Sequence, residues 1–505
     1  MKTDRSDLAA LLVSAGLIFA GGLFRTFSKL VERVIIGRSL SPDIYGEVSI
    51  GLAILSFAVT ASLIGFNQGI PRYVSRFDDD RDVRGIWLVG LVIAASLAAA
   101  LAVAIGLNVD FLTGRFFEGA DSDRLVQLFV LAIPFVAGLR VSVGVIRGLE
   151  NTVYKTAVND VLYPGFRIGI LLVFLGQGLG LLAPAYAYLV AAAVACLTAH
   201  FALHRLLPLV GAVRTHTREL VTFSVPLVIS TVVSMLLTHT DTLMVGYFRS
   251  SAQVGLYAAA YPIAYGLLVV LSSFGYLYLP LASRLDAADK RAEVAEIYHL
   301  SSKWIFVLTF PPFLAFLAFP ADVLGIVFSA DYRGGAPALA ILSVGFFTNA
   351  MVGRNRETLS ALGYPTGVLY SNVAAFGLNL VLNLALIPAY GFVGAAVASA
   401  ISYVGLNVVV YAFLRRKYDI TPFTHYTVRT FLVLPAAMVA PTLLLAQRVS
   451  LDLLGLVAFL VATGLCTLLV VALTGCLQPE DRIPLELIEE RVGVRLPLVR
   501  RFVPE

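Results

Sequence analysis

Residues 36–51, IGRSLSPDIYGEVSIG, recur in outline at 245–260, VGYFRSSAQVGLYAAA. Ile36-Gly37 aligns with Val245-Gly246 and Gly46 with Gly255, at an offset of 209. Pro71 aligns with Pro280 at the same offset, and one residue of slippage then brings Ser75-Arg76 onto Ser283-Arg284. Asn159 aligns with Asn372 at an offset of 213. Each match is sparse, and their near-constant offset is the signal of an internal duplication.

What is duplicated follows from composition. Of 505 residues, 59% are apolar and 14% charged, with a mean hydropathy of +0.86. Soluble domains average about 45–50% apolar and about 25% charged. Apolar runs of about 18 residues or more with few charges read as membrane spans. Such runs recur along the whole chain and predict an all-α integral membrane protein of about fourteen transmembrane helices. The offset covers six spans, an even number, so both copies insert with the same orientation. The expected architecture is two parallel six-helix lobes around a central cavity, plus two extra C-terminal helices. That is one of the repeat patterns of secondary transporters, in which the substrate site lies at the repeat interface. The expected organisation is an N-terminal lobe at 1–210 (spans 1–6), a C-terminal lobe at 211–420 (spans 7–12), spans 13–14 at 421–476 and a cytoplasmic tail at 477–505.

Orientation follows from the placement of Lys and Arg, which favour cytoplasmic loops. With the N-terminus inside, 26 of the 37 cations fall in inner segments, seven in outer segments and four within spans. Both termini are therefore expected in the cytoplasm of a cell-membrane protein. Met1–Ala20 imitates a secretory leader, but its apolar run has no A-x-A site and continues past Gly22, so it reads as the first span. Cys196, Cys466 and Cys476 fit no metal spacing and no disulfide framework, and read as small core residues.

Charges inside the spans are the candidate site, because an ionisable group at the bilayer centre is expensive. Arg25, Lys29 and Glu32 share one face of the first span. Arg140 and Arg147 lie two turns apart on the fourth. Arg167 shares a stripe of the fifth with Asn159 and Tyr163, beside Asp160. Arg grips phosphate oxygens bidentately, so Arg25, Lys29, Arg140, Arg147 and Arg167 are candidate ligands for a phosphate-bearing substrate. The competing readings are snorkelling to the headgroups, a Glu32–Lys29 pair, an Arg167–Asp160 pair, and, for Arg147, a loop cation. Asp241 occupies the position of Glu32 in the second repeat, with His239 two residues earlier. Glu32, Asp241 and His239 are candidates for coupling a proton or sodium gradient, against a purely structural hydrogen bond. Asn379 and Asn383 read as interhelical glue. Asn349, Arg354, Arg356 and Glu357, near the inner end of the tenth span, read as a solvated rim, with reception of the substrate head from the cytosol as the alternative.

Two segments resemble a known family. Residues 372–403, NVAAFGLNLVLNLALIPAYGFVGAAVASAISY, resemble the span 11–12 region of polysaccharide transporters in the multidrug/oligosaccharidyl-lipid/polysaccharide exporter superfamily. Residues 37–51 resemble the loop between that family's first two spans. The resemblance implies a V-shaped, two-lobed, non-enzymatic flippase for a polyprenyl-linked oligosaccharide, working by alternating access among membrane lipids, as a monomer. No cofactor, metal or nucleic-acid partner is expected. A multidrug or small-molecule antiporter of the same superfamily is the first rival. A membrane-embedded sugar transferase or polymerase is the second, but the sequence carries no P-loop, HExxH or nucleophile elbow, and the longest outer loop, about 108–123, is too short for a catalytic domain.

Overall fold

The computed structural model describes residues 5–482, which contain helices and no strands. The charged tail expected from Leu477 is described as far as Arg482, and its remainder lies outside the described residues. The chain divides into two compact units, Met1–Ala258 and Ala259–Glu505. The first holds α1 (Arg5–Ser39), α2 (Pro42–Leu63), α3 (Phe66–Val74), α4 (Asp80–Leu107), α5 (Val109–Phe116), α6 (Ser122–Gly148), α7 (Thr152–Lys155), a π-helical segment (Thr156–Leu162), α8 (Tyr163–Gly176), α9 (Leu182–Leu206), α10 (Thr217–Phe248) and the start of α11 (Ser251–Tyr265). The second holds α12 (Leu268–Ala287), α13 (Arg291–Ala318), α14 (Pro320–Val327), α15 (Ala336–Val352), α16 (Asn355–Ala361), α17 (Pro365–Tyr390), α18 (Phe392–Tyr418), α19 (His425–Ala446) and α20 (Leu453–Leu473).

Among the described residues, eleven helices are long and apolar enough to cross a membrane, or twelve if Ser251–Tyr265 and Leu268–Gly275, bent by 42°, form one span. The expected fourteen would add α1 and α10, which are 35 and 32 residues long. The chain is an all-α, multi-pass membrane protein. The second span, α2, ends at a sharp break: Ile64 and Gly65 both adopt left-handed conformations between α2 and α3. Cys476 is buried, but Cys466 is exposed on α20 and is not a core residue.

The duplicated stretch makes a close helix crossing in the first unit. A Cβ on Gly46 of α2 would collide with the carbonyl oxygen of Ser251, and a Cβ on Gly255 of α11 with that of Pro42. Small residues let membrane helices approach to this degree. Beside the crossing, buried Glu47 accepts hydrogen bonds from the backbone N–H of Gly119 at 2.7 Å and from the Ser122 hydroxyl at 2.8 Å. Ser251 N–H in turn donates to Glu118 at 3.4 Å.

The connector between α9 and α10 is clamped to the start of α4. Arg84 donates to the carbonyls of Ala212 at 3.0 Å and Pro208 at 3.2 Å, and Arg214 N–H donates to the Arg81 carbonyl at 2.9 Å. His216 meets Asp82 at 2.8 Å through Nε2 and Glu219 at 2.9 Å through Nδ1. With a carboxylate on each nitrogen, only the doubly protonated imidazolium satisfies both contacts. The Asp82 hydrogen bond, reinforced by Glu219, raises the His216 pKa above its usual value. A raised folded-state pKa contributes stability that is fully present below about pH 6.5 and is lost as pH rises through the folded value. Wild type is therefore expected to melt above His216→Gln at pH 5.5, with the difference shrinking at pH 8.5. A difference that is constant across that range, measured by thermal unfolding in detergent, would contradict the clamp's titration.

In the second unit, Phe306, Phe310, Phe313 and Phe347 pack together, Phe313 and Phe347 stacking at 4.0 Å. The Asn383 amide donates to Asn379 at 2.9 Å, and Asn379 donates to Ser399 of α18 at 3.3 Å, so these amides bond along α17 and across to its neighbour. Arg354 is buried rather than part of a solvated rim: it donates to the Leu271 carbonyl at 2.8 Å and pairs with Glu357 at 3.1 Å. Lys303, one of the 26 cations expected in inner segments, lies inside α13 and is fully buried against Asp481.

Candidate functional site

The site is built from α1, α3, α6, α7 and the π-helical segment. Pro164 explains that segment locally. Proline has no N–H for the carbonyl four residues back and its ring crowds that carbonyl, which here belongs to Asp160. The helix widens ahead of it, and Tyr163 N–H bonds the Val158 carbonyl, five residues back. Single π turns inside α-helices recur at functional sites. Here the widened turn carries Asn159 and Asp160.

A cavity of about 490 Å³ opens beside this turn, lined by Arg25, Arg140, Arg147 and Lys155 with Asn67, Gln68 and Asn159. Three of the five cations expected to bind phosphate therefore meet in one place, although they come from helices far apart in sequence. Arg140 donates to the Asn159 side-chain oxygen at 3.2 Å. Arg25, 40% exposed, pairs with the fully buried Asp160 at 3.1 Å, and Lys155 reaches the other oxygen of the same carboxylate at 2.5 Å. The Asn159 amide donates to Asp160 at 2.7 Å. Four cations against one carboxylate leave the cavity strongly positive. Its chemistry suits an anion with several oxygens, which guanidinium and ammonium groups hold by charge-assisted bonds.

The other two expected cations lie elsewhere. Lys29 is exposed on α1, one turn beyond Arg25, and does not line this cavity. Arg167 of α8 pairs with Glu32 of α1 at 2.5 Å, with both side chains almost fully buried. Its guanidinium lies 4.4 Å from the Tyr188 ring centroid and 5.0 Å from that of Tyr163. Glu32 thus pairs with Arg167 and not with Lys29, and Asp160 pairs with Arg25 and Lys155 and not with Arg167. Asp241, 2% exposed, accepts a hydrogen bond from the Tyr257 hydroxyl at 2.5 Å. The His239 ring sits edge-on to Phe57, with centroids 6.3 Å apart.

Lys155, Asn67 and Gln68 are absent from the expected site, and Asp160 enters it only as a rival partner for Arg167. Lys155 sits at a helix end, where a positive-inside count absorbs it as a loop cation. Asn67 and Gln68 follow the Ile64–Gly65 break, whose position no proline announced. The signal that was available for Asp160 was Pro164, four residues on.

The Polysaccharide biosynthesis protein family matches residues 11–286, and the MatE family matches 226–385. The probable low-salt glycan biosynthesis flippase Agl15 of Haloferax volcanii is 26% identical over 200 residues, which cover 39% of this chain and 42% of that relative. The chain thus spans less than half the length of this relative. The probable flippase AglR of the same organism is 21% identical over 397 residues, covering 78% of this chain and 81% of that one. Among solved structures, the lipid II flippase MurJ in an inward closed conformation superposes with a TM-score of 0.70 at 12% identity, over 90% of this chain and 98% of its own. An inward-facing multidrug resistance MATE family transporter superposes with a TM-score of 0.62 at 15% identity, over 78% of this chain and 94% of its own. At these identities the superpositions speak for the fold alone. The first family match spans more than half of the sequence, and the chain belongs to the polysaccharide biosynthesis protein family of the multidrug/oligosaccharidyl-lipid/polysaccharide exporter superfamily.

Proposed function

We propose that this chain is a flippase that carries a polyprenyl-(pyro)phosphate-linked oligosaccharide from the inner to the outer leaflet, supplying polysaccharide or glycoprotein glycan assembly. One observation carries the reading: Arg25, Arg140, Arg147 and Lys155 converge on one cavity in a chain of this family. A sugar headgroup crosses hydrocarbon only if its phosphate joint is compensated along the way, because an uncompensated charge there costs at least a few kcal/mol. These cations hold the joint while alternating access exposes the headgroup to the other side and the lipid tail stays in the membrane. Lys29, one turn from Arg25, extends the cationic route. Arg167 serves it indirectly, by fixing Glu32 and hence the first span. Glu32 and Asp241, with His239, are the groups through which an ion gradient drives the cycle. The protein works in the cell membrane with both termini in the cytoplasm.

Proteoliposomes loaded with a fluorescent short-chain polyprenyl-pyrophosphate sugar test this. Removing one charge-assisted contact costs about 1.5–3 kcal/mol. Arg25→Ala and Arg140→Ala are each expected to slow transbilayer movement at least about tenfold, with Lys29→Ala less affected. Normal movement in folded Arg25→Ala and Arg140→Ala protein would sink the phosphate role. Movement of cationic drugs but of no lipid-linked sugar would favour the antiporter.

A further inference from the structure

We propose that Asp160 is a built-in counter-anion of this cavity, which weakens its grip so that an anionic cargo can leave. The inference rests on the reading of the cavity as the holder of a phosphate or pyrophosphate group. Arg25 and Lys155 each have two faces. One lines the cavity; the other contacts Asp160, at 3.1 and 2.5 Å. Asp160 is fully buried and lies behind them, outside the cavity wall. The amide of Asn159, which itself lines the cavity, fixes one of its oxygens at 2.7 Å. The remaining cavity contact, from Arg140, goes to a neutral amide oxygen.

An entering anion therefore finds two of its four cations already turned partly toward an internal carboxylate. Coulomb attraction away from water is strong, so a cavity of four uncompensated cations would retain a multiply charged anion. A carrier gains from moderate binding, since cargo held too tightly is not delivered. Asp160 acts through Arg25 and Lys155, and is a positioning residue. It occupies a π turn, a conformation one residue removed from ordinary α-helix, so the carboxylate can yield when an external anion takes over its cations.

The test is calorimetric titration of the full chain in detergent with inorganic pyrophosphate at low salt. Asp160→Asn keeps the shape and one acceptor and removes the charge. It is expected to bind pyrophosphate at least tenfold more tightly than wild type, and to lower both KM and turnover in the proteoliposome assay. Asp123→Asn, an exposed carboxylate at the other end of α6, controls for net charge and leaves binding unchanged. Equal or weaker binding by Asp160→Asn overturns the proposal, because a merely structural carboxylate would leave the site looser. Should that variant not fold, hydrogen exchange on wild type decides. Amides 156–163 are expected to exchange faster with pyrophosphate bound, and slower or unchanged exchange overturns the proposal. A wild-type chain that binds neither pyrophosphate nor a lipid-linked pyrophosphate overturns both this inference and the functional reading, whereas wild-type binding without the Asp160→Asn gain overturns this one alone.

Discussion

Asp481→Ala is expected to destabilise the second unit by about 3–5 kcal/mol, the cost of leaving a buried charge without its partner. Lys303 in α13 and Asp481 beyond α20 are 1% and 0% exposed and form an ion pair. Asp481 also accepts from the Trp304 indole at 2.9 Å and from Gln478 N–H at 2.8 Å. The Lys303 ammonium has one further acceptor, the Cys476 carbonyl at 3.4 Å. Alanine at 481 removes three bonds and leaves the buried ammonium without its carboxylate, with the long contact to the Cys476 carbonyl in its place. Replacing both partners by apolar residues of similar volume, Lys303→Met with Asp481→Leu, recovers most of the loss, because it removes the desolvation cost as well. The chain has two tryptophans, so a Trp87→Phe background makes Trp304 fluorescence a local reporter of unfolding. If Asp481→Ala melts with wild type, the buried pair is not what anchors residues 476–482.

Arg167→Ala is expected to cost a similar amount, about 3–5 kcal/mol, and Arg25→Ala no more than about 1 kcal/mol. Both arginines pair with a carboxylate, so the contrast comes from burial and from what the carboxylate keeps. Glu32 is 4% exposed, and Arg167 is its ion-pair partner in the first unit. Asp160 retains Lys155 and Asn159 when Arg25 is lost, and Arg25 itself is 40% exposed. Thermal unfolding should therefore separate the two: Arg25→Ala melts near wild type and Arg167→Ala far below it. Arg167→Met with Glu32→Leu should regain most of the stability. Equal melting of the two single variants would mean that the Glu32–Arg167 pair does not hold α1 against α8.

The apolar runs were legible in the sequence, because hydropathy reflects partition between lipid and water. The ends of helices were not. Lys303 looked like a loop cation because the apolar run begins near it, whereas α13 starts twelve residues earlier, at Arg291. Hydropathy marks where lipid begins, and a helix continues past that point wherever its polar turns find partners. Pairing was not legible either. Three charges on one face of α1 predicted a shared environment, yet Arg25 turns to Asp160 and Glu32 to Arg167. Those choices depend on which neighbour each turn of α1 meets, and nothing within α1 encodes it. Arg354 misled for the same reason: its position at a helix end suggested a wet rim, and its burial follows from the approach of α12, whose Gly275 leaves room for the guanidinium.

The crossing of α2 and α11 has the form of a subunit interface written within one chain. Gly46 faces Ser251 and Gly255 faces Pro42, and each pair is the other moved by 209 positions. Contacts of this reciprocal kind are what a two-fold axis produces in a homodimer, where one patch serves both sides. The two contacts are then not independent. A slide of α2 along α11 that opens one opens the other, so the crossing parts as a unit or not at all. A side chain added at either glycine should act on the same step, and a second at its counterpart should add less than the first.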